Sequence, residues 1–452
     1  LEMTKLVKEK KGSGVTLSID VFEGKNLIFV DEGHKGKASE EQEWAKRRNE
    51  LAHQGFVFEY SATFGQILSE KNEIILREYA KSIIFDYSYK YFYLDGYGKD
   101  FLVLNVRQAG ISQRRFQETM FVSNLLSFYQ QLLVYEENKH LASEYNLEKP
   151  LWIFVGTTVT GKAEESDVVQ IVDFFKLVFE DQSWMQKKIN EILEGKTGLT
   201  KEDNEYLKGR FTYLKSKNFR TDDVYKKVFG GKGRFSVYEL KNAEGEFGLR
   251  VGENAYFGVI NIGSVSDFKR ELENKGITVN QDAVSGSLFE TIKTENSKIT
   301  VLIGAKKFIE GWDTWRVASM GLLNIGKGQG PQIIQLFGRG VRLKGREFSL
   351  KRSGEKNETQ FLETLNIYGI QADYLDKFLD AIRKEEVEYE TIEIPIKLQH
   401  ENKWNALYTL VKDNNKKFEE QEVLFLELDD KLPVAVIDLL PKASLRLGQE
   451  RG

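Results

Sequence analysis

Four short runs of aliphatic and aromatic residues, Asn26–Val30, Phe56–Tyr60, Leu151–Val155 and Ile299–Ile303, constrain this chain more than any other feature. Each is the length of one strand. Those at 26, 56 and 151 stop at small, polar or acidic residues, as strands of a parallel sheet do where they reach the ligand-binding edge. Segments of helical period accompany them. Phe116, Met120, Phe121, Leu125, Phe128, Leu132 and Tyr135 recur three or four apart between Gln113 and Asn138, which predicts an amphipathic helix. Further helices are expected from about Ser166 to Phe179 and after Pro331. The class is therefore α/β, and chemistry is sought first at the polar tips of the strands.

At 452 residues the chain is too long for a single compact core, and two or three domains are expected. We read residues 1–147 as a first α/β domain, closed by the helix at 113–138. The aromatic stretch Lys81–Val106, turning at Gly96-Tyr-Gly98, reads as a hairpin insertion at about 81–110. Pro150 and the following strand open a second domain, 148–353, with an insertion at about 182–262 whose end alternates around Asn242–Gly245. Residues 354–452 read as a mixed C-terminal accessory region. Lys plus Arg number 65 against 69 Asp plus Glu, a net −4, so any nucleic-acid surface must be local. The absence of cysteine excludes disulfides and thiolate metal sites, and four histidines leave little for an imidazole cluster. There is neither a bilayer-length apolar run nor a secretory-signal layout, so no membrane partner and a cytoplasmic location are expected.

Several motifs carry chemistry. Asp31-Glu32-Gly33-His34 follows a strand, where one carboxylate can hold Mg²⁺ and its neighbour can orient and deprotonate water for nucleotide hydrolysis. A solvated acidic loop is the plain alternative. Ser61-Ala62-Thr63 follows the next strand, and its short hydroxyl side chains suit a switch that bonds the acidic loop in one state only. In Gln332–Arg342 the spacing of Gln335, Arg339 and Arg342 places them near one helix end, where an arginine fork can neutralise a transferring phosphoryl group. Lys344, Arg346, Lys351 and Arg352 continue the positive run and suit contact with a nucleic-acid backbone. In Phe308–Asp313, Gly311 lets backbone approach a substrate and Asp313 suits a ribose hydroxyl or the arginines. Trp312 and Trp315 read as core before base-stacking residues. Gly156–Ala163 nearly matches a phosphate-binding loop, but Ala163 lacks the hydroxyl that Mg²⁺ needs. We read it as the first loop of the second domain, with Thr157 and Thr158 placed to touch a nucleic-acid backbone.

Taken in order, DEGH, SAT, IEGWD and QLFGRGVR resemble motifs II, III, V and VI of superfamily 2 helicases. The wording EGWD and GRGVRLKG is most similar to the Res, or motor, subunit of type III restriction enzymes and related prokaryotic defence helicases. The resemblance spans roughly residues 20 to 350. It implies two RecA-like parallel-sheet domains with ATP between them and nucleic acid, duplex DNA by preference, across both. It assigns Mg²⁺ to Asp31 and water activation to Glu32, both acting on ATP. Coupling falls to His34, Ser61 and Thr63, nucleotide contact to Gly311 and Asp313, and reach across the cleft to Gln335, Arg339 and Arg342. Partners would be further subunits of a restriction or defence complex.

Two departures stand beside this resemblance. No phosphate-binding loop precedes Asp31, so this chain alone is expected to bind ATP poorly, and we expect the loop to lie ahead of Leu1. No convincing nuclease site follows, since Glu427–Lys431 reads as a charged turn. The expected function is an ATP-dependent DNA helicase or translocase. The alternatives are a non-hydrolysing nucleic-acid scaffold with a degenerate helicase fold, or an RNA helicase.

Overall fold

The computed structural model describes residues 6–7, 17–22, 24–31, 33, 42–61, 81–106, 111–156, 166–201, 204–262, 265–294, 296–304, 314–324, 330–355 and 357–370. Those from 6 to 61 and from 86 to 370 fall in one compact unit, and 81–85 fall in another. The strands are β1 (Leu6–Val7), β2 (Leu17–Ser18), β3 (Leu27–Val30), β4 (Phe56–Glu59), β5 (Asp100–Asn105), β6 (Leu151–Val155), β7 (Thr200–Lys201), β8 (Asn204–Glu205), β9 (Phe235–Leu240), β10 (Glu246–Val251), β11 (Gly258–Asn261), β12 (Val279–Asp282), β13 (Val301–Gly304), β14 (Val317–Leu323) and β15 (Thr364–Ile370). The helices used below are α1 (Gln42–Leu51), α2 (Tyr89–Leu94), α3 (Gln113–Glu137), α4 (Asp167–Glu180), α5 (Gln182–Glu194), α6 (Thr221–Phe229), α7 (Val265–Asn274), α8 (Gly330–Gly340) and α9 (Thr359–Leu362).

The α/β class is borne out by a nine-stranded, mostly parallel sheet in the order β12-β9-β10-β11-β13-β6-β14-β15-β5. Only β10 runs against its neighbours. β6, β13, β14 and β15 are buried along their whole length, as continuous apolar runs require. Residues from 100 to 370 contribute strands, so the sheet draws on both sides of position 147 and takes β15 from beyond 354. β9 and β10 form the strand-turn-strand unit expected around Asn242–Gly245, and Gly245 adopts φ +77° at the turn.

Two expectations need correction. The aromatic segment after Lys81 is not a hairpin but helix α2 followed by the single strand β5, which pairs in parallel with β15. Tyr89 and Phe101 close on Phe337 of α8 at 5.0 and 5.2 Å between ring centroids, so the aromatics serve helix packing rather than cross-strand pairing. The helix at 113–138 forms as α3, yet it has no wide solvated face: every residue from Thr119 to Val134 is buried. It packs against β14, β15, α5, α6 and α9. Some of its polar residues bond inward, with Gln131 donating to the carbonyls of Phe361 and Thr364 at 2.8 and 2.6 Å and Ser127 bonding the Tyr368 hydroxyl at 2.6 Å, while Ser123 Oγ and Gln130 Oε1 are buried without a partner.

One face of the sheet packs on α3, α4 and α6 through Trp152, Phe154, Phe175 and Phe229, and the other packs on α8 through Leu336 and Phe337. Among the described residues no helix is long and apolar enough to cross a membrane.

Candidate functional site

The acidic motif stands on a small parallel unit of its own. β3 and β4 pair in register from Leu27–Phe56 to Val30–Glu59, with α1 as the crossover. Ile28 packs with Leu51 and Ile19 on the α1 side, while Phe29 is 62% exposed on the other and stacks on Phe58 at 5.7 Å. The strand expected to be buried is therefore covered on one face only. Because the two strands run the same way, their carboxyl ends lie side by side. Tyr60 donates its backbone N–H to Val30 at 2.8 Å, and Gly33 donates to Tyr60 at 2.9 Å. Asp31, exposed, and Ser61, half-buried, thus flank one loop pair, as two neighbouring strand tips should. Glu32, His34 and Thr63 lie outside the described residues.

The arginine motif belongs to the nine-stranded sheet. Gln335 and Arg339 lie one turn apart on α8, Arg339 in its last turn, and Arg342 follows two residues past its end; all three are half-buried. A cation there meets the negative end of the helix dipole. The two glycines between them differ. A Cβ at Gly338 would meet open space, whereas one at Gly340 would lie 2.3 Å from Met320 Cε and 2.8 Å from Leu365 Cδ2. Gly340 therefore lets the helix end press onto β14 and β15, a packing role rather than an exposed backbone.

Beyond α8 the chain reaches the amino ends of the parallel strands. Lys344 pairs with Glu148 and lies over the Trp315 ring at 5.9 Å, and Arg346 pairs with Glu144 at 3.1 Å. Two of the four cations assigned to nucleic acid are thus paired with carboxylates of this chain, while Arg352 donates to backbone carbonyls and Lys351 lies over the Tyr97 ring at 4.6 Å. Beneath them, two buried cations tie strand starts together. Arg316 donates to the carbonyls of Lys149, Ile292 and Ile299 at 2.8, 2.6 and 2.8 Å. Lys99 donates to those of Trp315, at 3.2 Å, and Val317. Burial lowers the Lys99 ammonium to about 8, against the pull of Glu148 and Glu363, and lowers Lys149 to about 8 with help from Arg316 and Lys298. No sequence motif marked Lys99 or Arg316.

The carboxyl edge of the sheet is built by the register row Asn261, Gly304, Val155, Leu322, Gly369 and Asn105. There Asn324 donates to buried Asp167 in the first turn of α4. Gly156 is needed for that approach, since its Cβ would lie 2.3 Å from Asp167 Cβ. Thr157, Thr158, Gly311 and Asp313 fall outside the described residues.

No protein-family model matches the sequence, and neither does any curated protein. The site must be judged on its own geometry. An exposed carboxylate at a parallel strand tip is the hard oxygen donor that Mg²⁺ takes, one or two per ion, with water and substrate phosphates completing its shell. Asp31 fits that requirement.

Proposed function

We propose that the chain belongs to an ATP-driven nucleic-acid motor of the superfamily 2 helicase type, acting on duplex DNA within a restriction or phage-defence assembly. The observation that carries this reading is the ordered set DEGH, SAT, IEGWD and QLFGRGVR, whose first member follows a strand of the β3–β4 pair and whose last lies on and just past α8, a helix packed on the nine-stranded sheet. Two RecA-like lobes would then be built on β3–β4 and on the nine-stranded sheet. In this reading Asp31 holds Mg²⁺, which neutralises phosphate charge on ATP. Glu32 takes the proton of the attacking water, Ser61, Thr63 and His34 relay nucleotide state, and Gly311 and Asp313 meet the nucleotide. Gln335, Arg339 and Arg342 reach ATP, and the two arginines face the transferring phosphoryl group, a placement worth roughly 10³ to 10⁵ in rate.

Substituting Glu32→Gln in the full-length gene product tests the assignment. The amide still bonds water but accepts no proton, so ATP hydrolysis should fall at least about a hundredfold while ATP binding persists. Unchanged turnover would remove Glu32 from the mechanism.

A further inference from the structure

The proposed motor needs Arg339 and Arg342 held still, and the structure shows what grips their end of α8. The chain that leaves α8 folds back onto the segment between α2 and β5. Lys99 donates its backbone N–H to Val341 at 2.6 Å, and Gly98 donates to Leu350 at 2.9 Å. Arg352 spreads its guanidinium over three carbonyls, Tyr93 at 2.6 Å, Tyr97 at 2.8 Å and Gly98 at 3.0 Å, while lying 4.3 Å from the Tyr93 ring centroid. The Lys99 side chain crosses to the start of β14 by its bonds to Trp315 and Val317. Phe337, one turn before Val341, is held between Tyr89 and Phe101.

A second observation points the same way. In the loop between α8 and Arg352, Glu347, Phe348 and Leu350 all hold positive φ, at 54°, 58° and 63°. Such conformations persist where surrounding contacts over-determine them, and they concentrate at sites where geometry matters. Gly98 is part of the same constraint. It adopts φ +67°, and a Cβ there would lie 2.8 Å from the Val341 carbonyl oxygen and 2.7 Å from Phe92 Cε1.

We propose that Gly98, Lys99 and Arg352 are positioning residues that clasp the arginine-bearing end of α8 and set the reach of Arg339 and Arg342. This rests on the ATPase reading above. Val341, whose backbone is clasped, lies two residues after Arg339 and directly before Arg342, so a shift there passes to both guanidinium groups. Displaced by about an ångström, such groups lose rate rather than substrate affinity.

Steady-state ATP hydrolysis by the full-length gene product with saturating duplex DNA tests the proposal, with Arg342→Ala as the inactive reference. Gly98→Ala and Lys99→Met should lower kcat about tenfold or more and leave KM for ATP within about twofold. Ile189→Val, which thins the core at a distance, should lose thermal stability and keep kcat. Arg352→Lys keeps the charge but loses the fork, and it replaces Lys99→Met if that variant does not fold; a similar fall in kcat is expected. Wild-type kcat in both clasp variants beside an inactive Arg342→Ala overturns the positioning role and leaves the ATPase reading standing. A wild-type protein without ATP hydrolysis overturns the reading itself, and the clasp with it.

Discussion

At the scale of single residues, the groups that tie this fold together are buried cations donating to backbone carbonyls. Arg316 gathers three carbonyls, two just ahead of neighbouring strands and one, Ile292, at the end of a short helix, a use that its planar, five-donor group suits. Lys99 does the same with less, and its charge is held where water is excluded. Because burial lowers it to about 8, the native chain gives up this proton before the unfolded chain does at 10.5. The unfolded state therefore binds more protons between those values, and stability rises with pH across that window. Compared with Lys99→Met, the wild-type protein should gain on the order of 2 kcal/mol between pH 7 and pH 10 in urea melts. Parallel curves would show that Lys99 is not penalised by burial. Lys149 is lowered in both proteins, so the difference isolates Lys99. None of this was legible in the sequence, because the acceptors of Lys99 lie more than 200 residues away. The ion pairs of Lys344 and Arg346 were hidden for the same reason: their partners Glu148 and Glu144 lie near 147, far from the positive run itself.

At the scale of elements, strand and helix positions were largely legible and their surroundings were not. The apolar runs at 151, 299 and 317 became β6, β13 and β14 because continuous Val, Ile, Leu and aromatic residues suit a strand covered on both faces. α3 appeared at its expected place, but Ser123, Asn124, Ser127, Gln130 and Gln131 look in sequence like a wet face. Only tertiary partners such as Ser319 and Tyr368 reveal them as interior. α2 was misread because tyrosine and phenylalanine favour strands on average, and packing on Phe337 decides the matter here. The glycines of α8 give a sharp test. Gly340→Ala should cost about 1–3 kcal/mol by overpacking against Met320 and Leu365. Gly338→Ala, with open space around it, should add about 0.5–1 kcal/mol through helix propensity. Equal effects in thermal melts would mean that the end of α8 does not press on the sheet.

At the scale of the whole molecule, the acidic motif follows a strand of a two-stranded sheet and the arginine motif sits on a helix packed on the nine-stranded one, most of which is built by the chain between them. The pairing of Asp31 with the Ser61 strand tip was readable in advance, since two parallel neighbours must present their carboxyl ends together. The extent of the larger sheet was not. β5 and β15 lie more than 250 residues apart in sequence and carry no mark that they pair. The proposed motor should couple hydrolysis to its track: nucleic acid should favour the state in which Asp31 and the α8 arginines act on one nucleotide. The most direct test is the rate of ATP hydrolysis by the full-length gene product with and without duplex DNA, for the wild type and for Arg342→Ala. Our account predicts strong stimulation of the wild type by DNA and a loss of about 10³ or more in the variant. A protein that binds duplex DNA but hydrolyses no ATP, or an Arg342→Ala variant with wild-type turnover, would contradict it.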